Sequence, residues 1–181
     1  MPADRSASPF AGDVVLLVGT MKGAFIFSSG GERGEWRMDG PHFRGLSVYA
    51  MTLDQRAGRR RILAGTQSMH WGAVVQASDD FGATWSAPDR QNVRFPEDSG
   101  LALANIWQLR PGRADQPDTV YCGVEPAALF ESTDAGETWS PVDGLLNHEH
   151  RPQWQPGGGG LCLHTIVLDP ADPRRMGVAI S

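Results

Sequence analysis

The sequence predicts an all-β chain made of repeated antiparallel units, and three observations predict it. First, Ser78-Asp79-Asp80-Phe81-Gly82-Ala83-Thr84-Trp85 and Ser132-Thr133-Asp134-Ala135-Gly136-Glu137-Thr138-Trp139 share the pattern Ser-x-Asp-x-Gly-x-Thr-Trp. Their tryptophans lie 54 positions apart, a period in the range of repeat architectures. Second, short β-rich runs alternate with Gly, Pro, Asp and Asn turns throughout. Third, no window carries apolar residues at helical spacing over a useful length.

The elements follow in order. A strand with Gly-Thr near its end recurs as Val15 to Thr20, Arg61 to Thr66 and Thr119 to Val124, with Met176 to Ser181 as a fourth copy. Gly65, Gly123 and Ala179 are equivalent, and Gly19 matches them. Ahead of the later copies runs a leading strand: Ser47 to Asp54, Ala104 to Pro111 and Leu163 to Pro170. These align without gaps, and a polar turn joins each to its partner. A hairpin and then the Ser-x-Asp-x-Gly-x-Thr-Trp turn complete a unit of four strands. Residues 28–36 look like a worn copy that keeps Ser28 and Trp36 but has lost the Asp. Four-stranded units repeated in this way predict a β-propeller blade.

The units fall at about 13–46, 47–103, 104–160 and 161–181, after a tail of residues 1–12. The first begins at its second strand and the last holds two strands, so the expectation is 13 strands: three blades plus the start of a fourth. Propellers close with roughly 4 to 8 blades. The reading is therefore a partial propeller, the N-terminal half of a longer one, with open blade edges available for self-association.

The turn motif has a structural role. Asp80 and Asp134 can accept backbone N–H groups of their own turn, Gly82 and Gly136 tolerate positive φ, and Trp85 and Trp139 bury ring area on a neighbour. Ser78 and Ser132 open each motif. The pattern resembles the Asp-box, or BNR repeat, of sialidase-like propellers, and the wider sequence resembles bacterial BNR-repeat proteins of the glycosyl hydrolase type. The resemblance implies six blades and boxes on the blade periphery, away from any active site.

Composition narrows the function classes. The 181 residues are 40% hydrophobic with net charge −5, which does not suit nucleic-acid binding. No run approaches a membrane span of roughly 20 apolar residues, and residues 1–11 lack an apolar signal core. Cys122 and Cys162 stand in separate units, which fits a reducing compartment and a cytoplasmic location. The Arg59-Arg60-Arg61 run reads as solvated charge at a turn.

Ligand-binding candidates concentrate in three places. The leading strands put Tyr49, Asn105 and His164 at equivalent positions, able to line a central channel. His70 and Trp71 form a turn suited to stacking on a flat ligand, with inter-blade packing as the alternative for Trp71. The connection after the second box carries His148, His150 and Trp154, followed by Gly157 to Gly160, which serve either close ligand approach or a hinge. His148, His150, Cys162 and His164 are feasible metal ligands, but their spacing matches no standard zinc site. No cofactor is expected.

Two functions remain open. One is a non-catalytic scaffold that binds a small molecule, glycan or protein partner. The other is the glycoside hydrolysis that the resemblance implies, which needs an arginine cluster, an Asp acid/base and a Tyr–Glu pair. Phe43-Arg44-Gly45-Leu46 only half matches the family's Phe-Arg-Ile-Pro motif, and Tyr49 has no identifiable Glu partner. The scaffold is the favoured reading, with any catalytic set completed outside this chain.

Overall fold

In the computed structural model, Pro9 and residues 12–70, 72–86, 91–158 and 160–181 are described. They form four antiparallel sheets in chain order. The first holds β1 (Val14–Thr20), β2 (Gly23–Ser29) and β3 (Arg37–His42). The second holds β4 (Ser47–Asp54), β5 (Arg61–Ser68) and β6 (Gly72–Ser78). The third holds β7 (Asn105–Pro111), β8 (Val120–Glu125), β9 (Ala128–Ser132) and β10 (Ser140–Pro141). The fourth is the pair β11 (Leu163–Leu168) and β12 (Met176–Ile180). Consecutive strands pair in every sheet, and three apolar clusters lie between successive sheets. This is a partial set of propeller blades.

The count differs from 13 strands in one place. Among the described residues the second sheet has three strands, not four. Where the outer strand was expected, single residues satisfy the edge of β6. Ser86 donates its N–H to the Ala77 carbonyl (2.7 Å), and its Oγ accepts the Ala77 N–H (2.7 Å). Asn92 does the same for Val75: Oδ1 accepts its N–H (3.0 Å) and Nδ2 donates to its carbonyl (2.9 Å). An amide side chain presents the same donor and acceptor as a peptide group, so it can stand in for a strand. The connection after the second box also contains a short α-helical turn, α1 (Asp143–Leu146), and a 3-10 turn at Arg151–Gln153.

The recurring glycine has a packing cause. A methyl group on Gly65 would lie 2.6 Å from Cγ2 of Ile106, and one on Gly123 would lie 2.5 Å from the Leu163 carbonyl oxygen. On Gly19 it would collide with the Val48 carbonyl. Each glycine sits on the second strand of a blade, and each collision partner sits on the inner strand of the next. Val48, Ile106 and Leu163 are all essentially buried. The glycine is the slot into which the following blade's inner strand fits.

A second set of contacts ties the blades at the far ends of the inner strands. Asp54, with its side chain only 1% exposed, accepts Arg56 Nε (2.8 Å) and Nη2 (2.7 Å). The same guanidinium donates to the carbonyls of Gln116 (3.0 Å) and Thr119 (2.8 Å) in the next blade's turn. Arg113 repeats the gesture one blade on, donating to the Asp172 carbonyl (2.9 Å). The run read as solvated charge behaves differently from that expectation. Arg59 binds Asp118 and the Pro117 carbonyl, and Arg61 binds Asp79 (2.9 Å) and Glu137 (2.7 Å). Only Arg60 of the three is exposed. These arginines clamp neighbouring blades, because a planar guanidinium can serve carboxylate and carbonyl acceptors together.

Two outcomes follow for stability. Gly123→Ala places its methyl against a backbone oxygen that cannot yield, so it should cost about 1–3 kcal/mol by overpacking. Gly144→Ala, at an open site, is the control; equal thermal midpoints for the two variants would contradict the slot. Arg56→Met leaves buried Asp54 only the Arg59 guanidinium, 3.8 Å away, and the backbone N–H of residue 56, and should cost toward the low end of roughly 3–5 kcal/mol. Urea unfolding reads this directly, and an unchanged midpoint would show that the clamp is ornamental.

Candidate functional site

The inner strands carry the candidate site at the ends opposite the arginine clamps. Pairing with the glycine-bearing strand fixes their register: Ala50 faces Gly65, Gln108 faces Gly123 and Thr165 faces Ala179. Just before those positions each strand holds one residue more than its partner, at Tyr49, Trp107 and His164. A β-bulge of this kind re-aims the extra side chain. Tyr49, Trp107 and His164 are therefore the equivalent trio, which corrects the set of Tyr49, Asn105 and His164. Asn105 lies two residues before Trp107 and corresponds to Ser47 and Cys162.

The trio is not alone. Tyr49 and Trp107 stack with centroids 4.9 Å apart and planes at 27°. Trp107 Nε1 donates to Glu125 Oε2 (3.0 Å), and Asn105 Nδ2 donates to the same oxygen (2.9 Å). Gln67 and Ser181 occupy the place of Glu125 in the flanking blades, opposite Ser47 and Cys162. His164 Nδ1 is 2.9 Å from the Thr165 hydroxyl. Trp107 and Glu125 were missed in the sequence; the bulge hides the first, and the second shows only as an acidic residue at a strand end.

The connection after the second box leans on this end of the third blade. Ala127 donates its N–H to the Leu161 carbonyl (2.8 Å), and Arg151 Nη1 donates to the Ala127 carbonyl (2.5 Å). A side chain on Gly160 would collide with Glu125 Oε1, so the close approach offered by the glycine run is made to a carboxylate of the protein itself. Within this connection His148 and His150 meet at 5.3 Å, His148 lies 5.8 Å from Trp154, and Arg151 sits over the Trp154 ring at 5.6 Å. His70 is exposed on the turn after β5, and its N–H reaches Ser68 Oγ (3.1 Å). Trp71 lies outside the described residues. Among the described residues no three of His, Cys, Asp and Glu gather so as to hold a metal ion. His148, His150, Cys162 and His164 therefore do not assemble into a centre.

The two boxes share their Ser–Asp–Gly–Thr bonds and differ at the tryptophan. Ser78 Oγ donates to Asp80 Oδ1 (2.8 Å) and accepts the Gly82 N–H (2.7 Å); Ser132 does the same with Asp134 (2.7 Å) and Gly136 (2.8 Å). The Thr84 and Thr138 amides and hydroxyls close on the same carboxylates. Gly82 and Gly136 have φ of 91° and 97°, and the preceding Phe81 and Ala135 are also left-handed. Gly136 lies against Leu63 and Gly82 against Ile26 and His42, in each case on the preceding blade. Trp139 is buried, donating Nε1 to its own Gly136 carbonyl (3.1 Å); Trp85 packs edge-on against Phe43 and turns Nε1 toward His42 Nδ1 (3.4 Å).

A family model described as BNR/Asp-box repeat matches residues 130–141, the second box. Among solved structures, the GH74 xyloglucanase from Xanthomonas campestris is similar, with a TM-score of 0.51 and 21% identity. The match covers 86% of this chain and 23% of that one. The chain carries a BNR/Asp-box repeat on a propeller-type fold. It spans less than a quarter of the xyloglucanase, and likeness at that identity shows the fold alone. No curated protein matches the chain. Among the described residues no helix is long and apolar enough to cross a membrane.

The box carboxylates are engaged by the hydrogen-bond donors of their own turns. The Thr84 hydroxyl and amide hold Asp80 below the usual carboxylate range. At Asp134 burial works against ionisation, but Thr138, Ser132 and the Glu137 amide outweigh it and the net shift is downward. Groups so engaged fasten the turns that carry them. A carboxylate depressed in the folded state contributes stability that is present above its unfolded value, about 4, and lost as pH falls through the folded value. The thermal midpoint should therefore drop as pH is lowered below about 4, with a shallower acid limb in Asp134→Asn. An acid limb identical to that of the parent would remove the box from the account of acid stability.

Proposed function

We propose that this chain is a non-catalytic propeller module that binds a ligand at the inner-strand ends of its blades. One observation carries the reading: Tyr49, Trp107 and His164 occupy the same bulged station on three successive inner strands, beside the Glu125 carboxylate held by Trp107 and Asn105. Bulges re-aim side chains near functional sites, and convergent polar groups around an aromatic surface are the usual make-up of a ligand site. The likeness to a xyloglucanase propeller supports the scaffold and does not bring that enzyme's activity with it.

The chemistry on this face also favours binding over hydrolysis. Glycoside cleavage takes two carboxyl groups across the bond, or a Tyr nucleophile with a helper carboxylate in the sialidase case. Among the described residues Tyr49 makes no hydrogen bond to a carboxylate, and Glu125 is engaged by Trp107 and Asn105. The free thiols of Cys122 and Cys162 support the cytoplasmic location.

A glycan and small-molecule panel followed by tryptophan fluorescence and calorimetry tests the proposal. A bound ligand should lose at least tenfold in affinity in Trp107→Ala, with far-ultraviolet dichroism preserved and no product released on long incubation. Full affinity in that variant would move the site elsewhere. Turnover of a bound glycoside would make the chain an enzyme.

A further inference from the structure

We propose that this chain pairs head to tail with a second copy of itself. The open face of its fourth sheet docks on the open face of the second copy's first sheet, and the reciprocal contact closes the pair. The pairing is independent of the ligand-binding function proposed above.

The first sheet turns one face, through Gly19, Ala24 and Ile26, toward the second sheet. Its other face carries a row across three strands, since Leu16 stands opposite Phe27 and Phe27 opposite Met38. Val18, Phe25 and Trp36 fall on the same side, because side chains alternate along a strand. Leu16, Trp36 and Met38 are 51%, 42% and 54% exposed, and no charged residue of the three strands lies on this side. Trp85 and Trp139, which close the intact boxes, pack on the preceding blade. Trp36 closes the worn copy and has no preceding blade among the described residues. A continuous apolar patch of this kind marks an interaction surface.

The fourth sheet is open on the opposite side. Arg175, Gly177 and Ala179 alternate on the face turned away from the third blade, and Val167, opposite Gly177, is 57% exposed there. Two departures from the repeat fit each other at this point. Ala179 fills the slot that Gly19, Gly65 and Gly123 leave for the next inner strand, and an ordinary blade would bring its inner strand down on that methyl group. The first sheet begins at β1, the glycine-bearing strand, and brings no inner strand among the described residues. Likewise, the place of Leu63, on which the Gly136 turn rests, is taken by Gly177, with open space before it. The worn turn is one residue longer from Ser28 to Trp36 than a box is, so it uses that room.

Charge points to the same partner. Arg61, four residues before Gly65, binds Glu137 Oε1 (2.7 Å) and the Ala135 carbonyl (3.2 Å) in the next blade's box. Arg175 stands four residues before Ala179 on the corresponding face. Its side chain is 74% exposed and has only Asp169 of its own turn, 3.6 Å away, an exposed pairing that contributes little. The worn turn of the first sheet carries Glu32 and Glu35, both exposed and in no ion pair among the described residues. Docking a second copy places these acids where Glu137 meets Arg61 within the chain. Complementary charge at a rim selects which faces meet. Two copies bring eight sheets, within the roughly 4 to 8 blades that close a propeller, and a head-to-tail contact that closes gives a ring instead of a filament.

Light scattering on the full chain tests the pairing, and the expected mass is that of two chains. Leu16→Glu on the first sheet and Val167→Glu on the fourth should each raise the dissociation constant at least tenfold, with far-ultraviolet dichroism preserved. An equimolar mixture of the two variants should recover pairs, because each supplies the intact face that the other lacks. Arg175→Glu should weaken pairing about tenfold, and adding Glu32→Arg with Glu35→Arg should restore it. Those three side chains are exposed, so the charge reversal decides the matter even if an apolar-face variant fails to fold. A parent chain that stays monomeric at the highest concentration reached would overturn the proposal. So would a pair that survives Val167→Glu but not Leu16→Glu, the pattern of two first sheets packed on one another. Assemblies larger than two chains would overturn the closed pair.

Discussion

The seating of each inner strand on a glycine of the preceding blade is the constraint from which the rest of the structure follows. Gly19, Gly65 and Gly123 have no side chain because Val48, Ile106 and Leu163 come down on them. That close approach fixes the spacing between sheets and buries apolar residues in three clusters, one for each interface. It also fixes the register of the inner strands. The bulge beside each glycine then turns one side chain per blade away from the core, and those side chains form the candidate site.

Around this seat the molecule uses two other inter-blade devices at different radii. At the periphery the Asp-box holds a tight turn whose glycine rests on the preceding blade, with the indole of Trp85 or Trp139 beside it. At the clamped ends of the inner strands, Arg56, Arg59, Arg61 and Arg113 reach acceptors in the next blade. Glycine seat, box and arginine thus face the neighbour from different sides of each sheet. The opposite strand ends are left to Tyr49, Trp107, His164 and Glu125, so the polar work of holding blades together is kept away from the face assigned to the ligand.

Much of this was legible in the residues. The two boxes and the glycine spacing gave the blade period, because a turn with those bonds tolerates little variation between Ser78 and Trp85 or between Ser132 and Trp139. The outer strand expected in the second blade is not formed among the described residues, because Ser86, by backbone and hydroxyl, and Asn92, by its amide, satisfy the edge of β6 instead. The site was half legible. Tyr49 and His164 were found as polar residues on inner strands, but the match with Asn105 followed polarity, since Tyr49 stands third in its run and Asn105 and His164 second. Pairing partners decide the register instead, and they put Trp107 in the place given to Asn105. The arginines of the turn were misread for a similar reason: their acceptors lie some sixty residues away, beyond the reach of a local pattern.

Nuclear Overhauser contacts in the folded chain test the register most directly. The account predicts contacts from the Gly65 and Gly123 α-protons to the methyl groups of Ile106 and Leu163, together with ring-to-ring contacts between Tyr49 and Trp107. Contacts from the Tyr49 ring to the Asn105 amide, with none to the Trp107 indole, would contradict it.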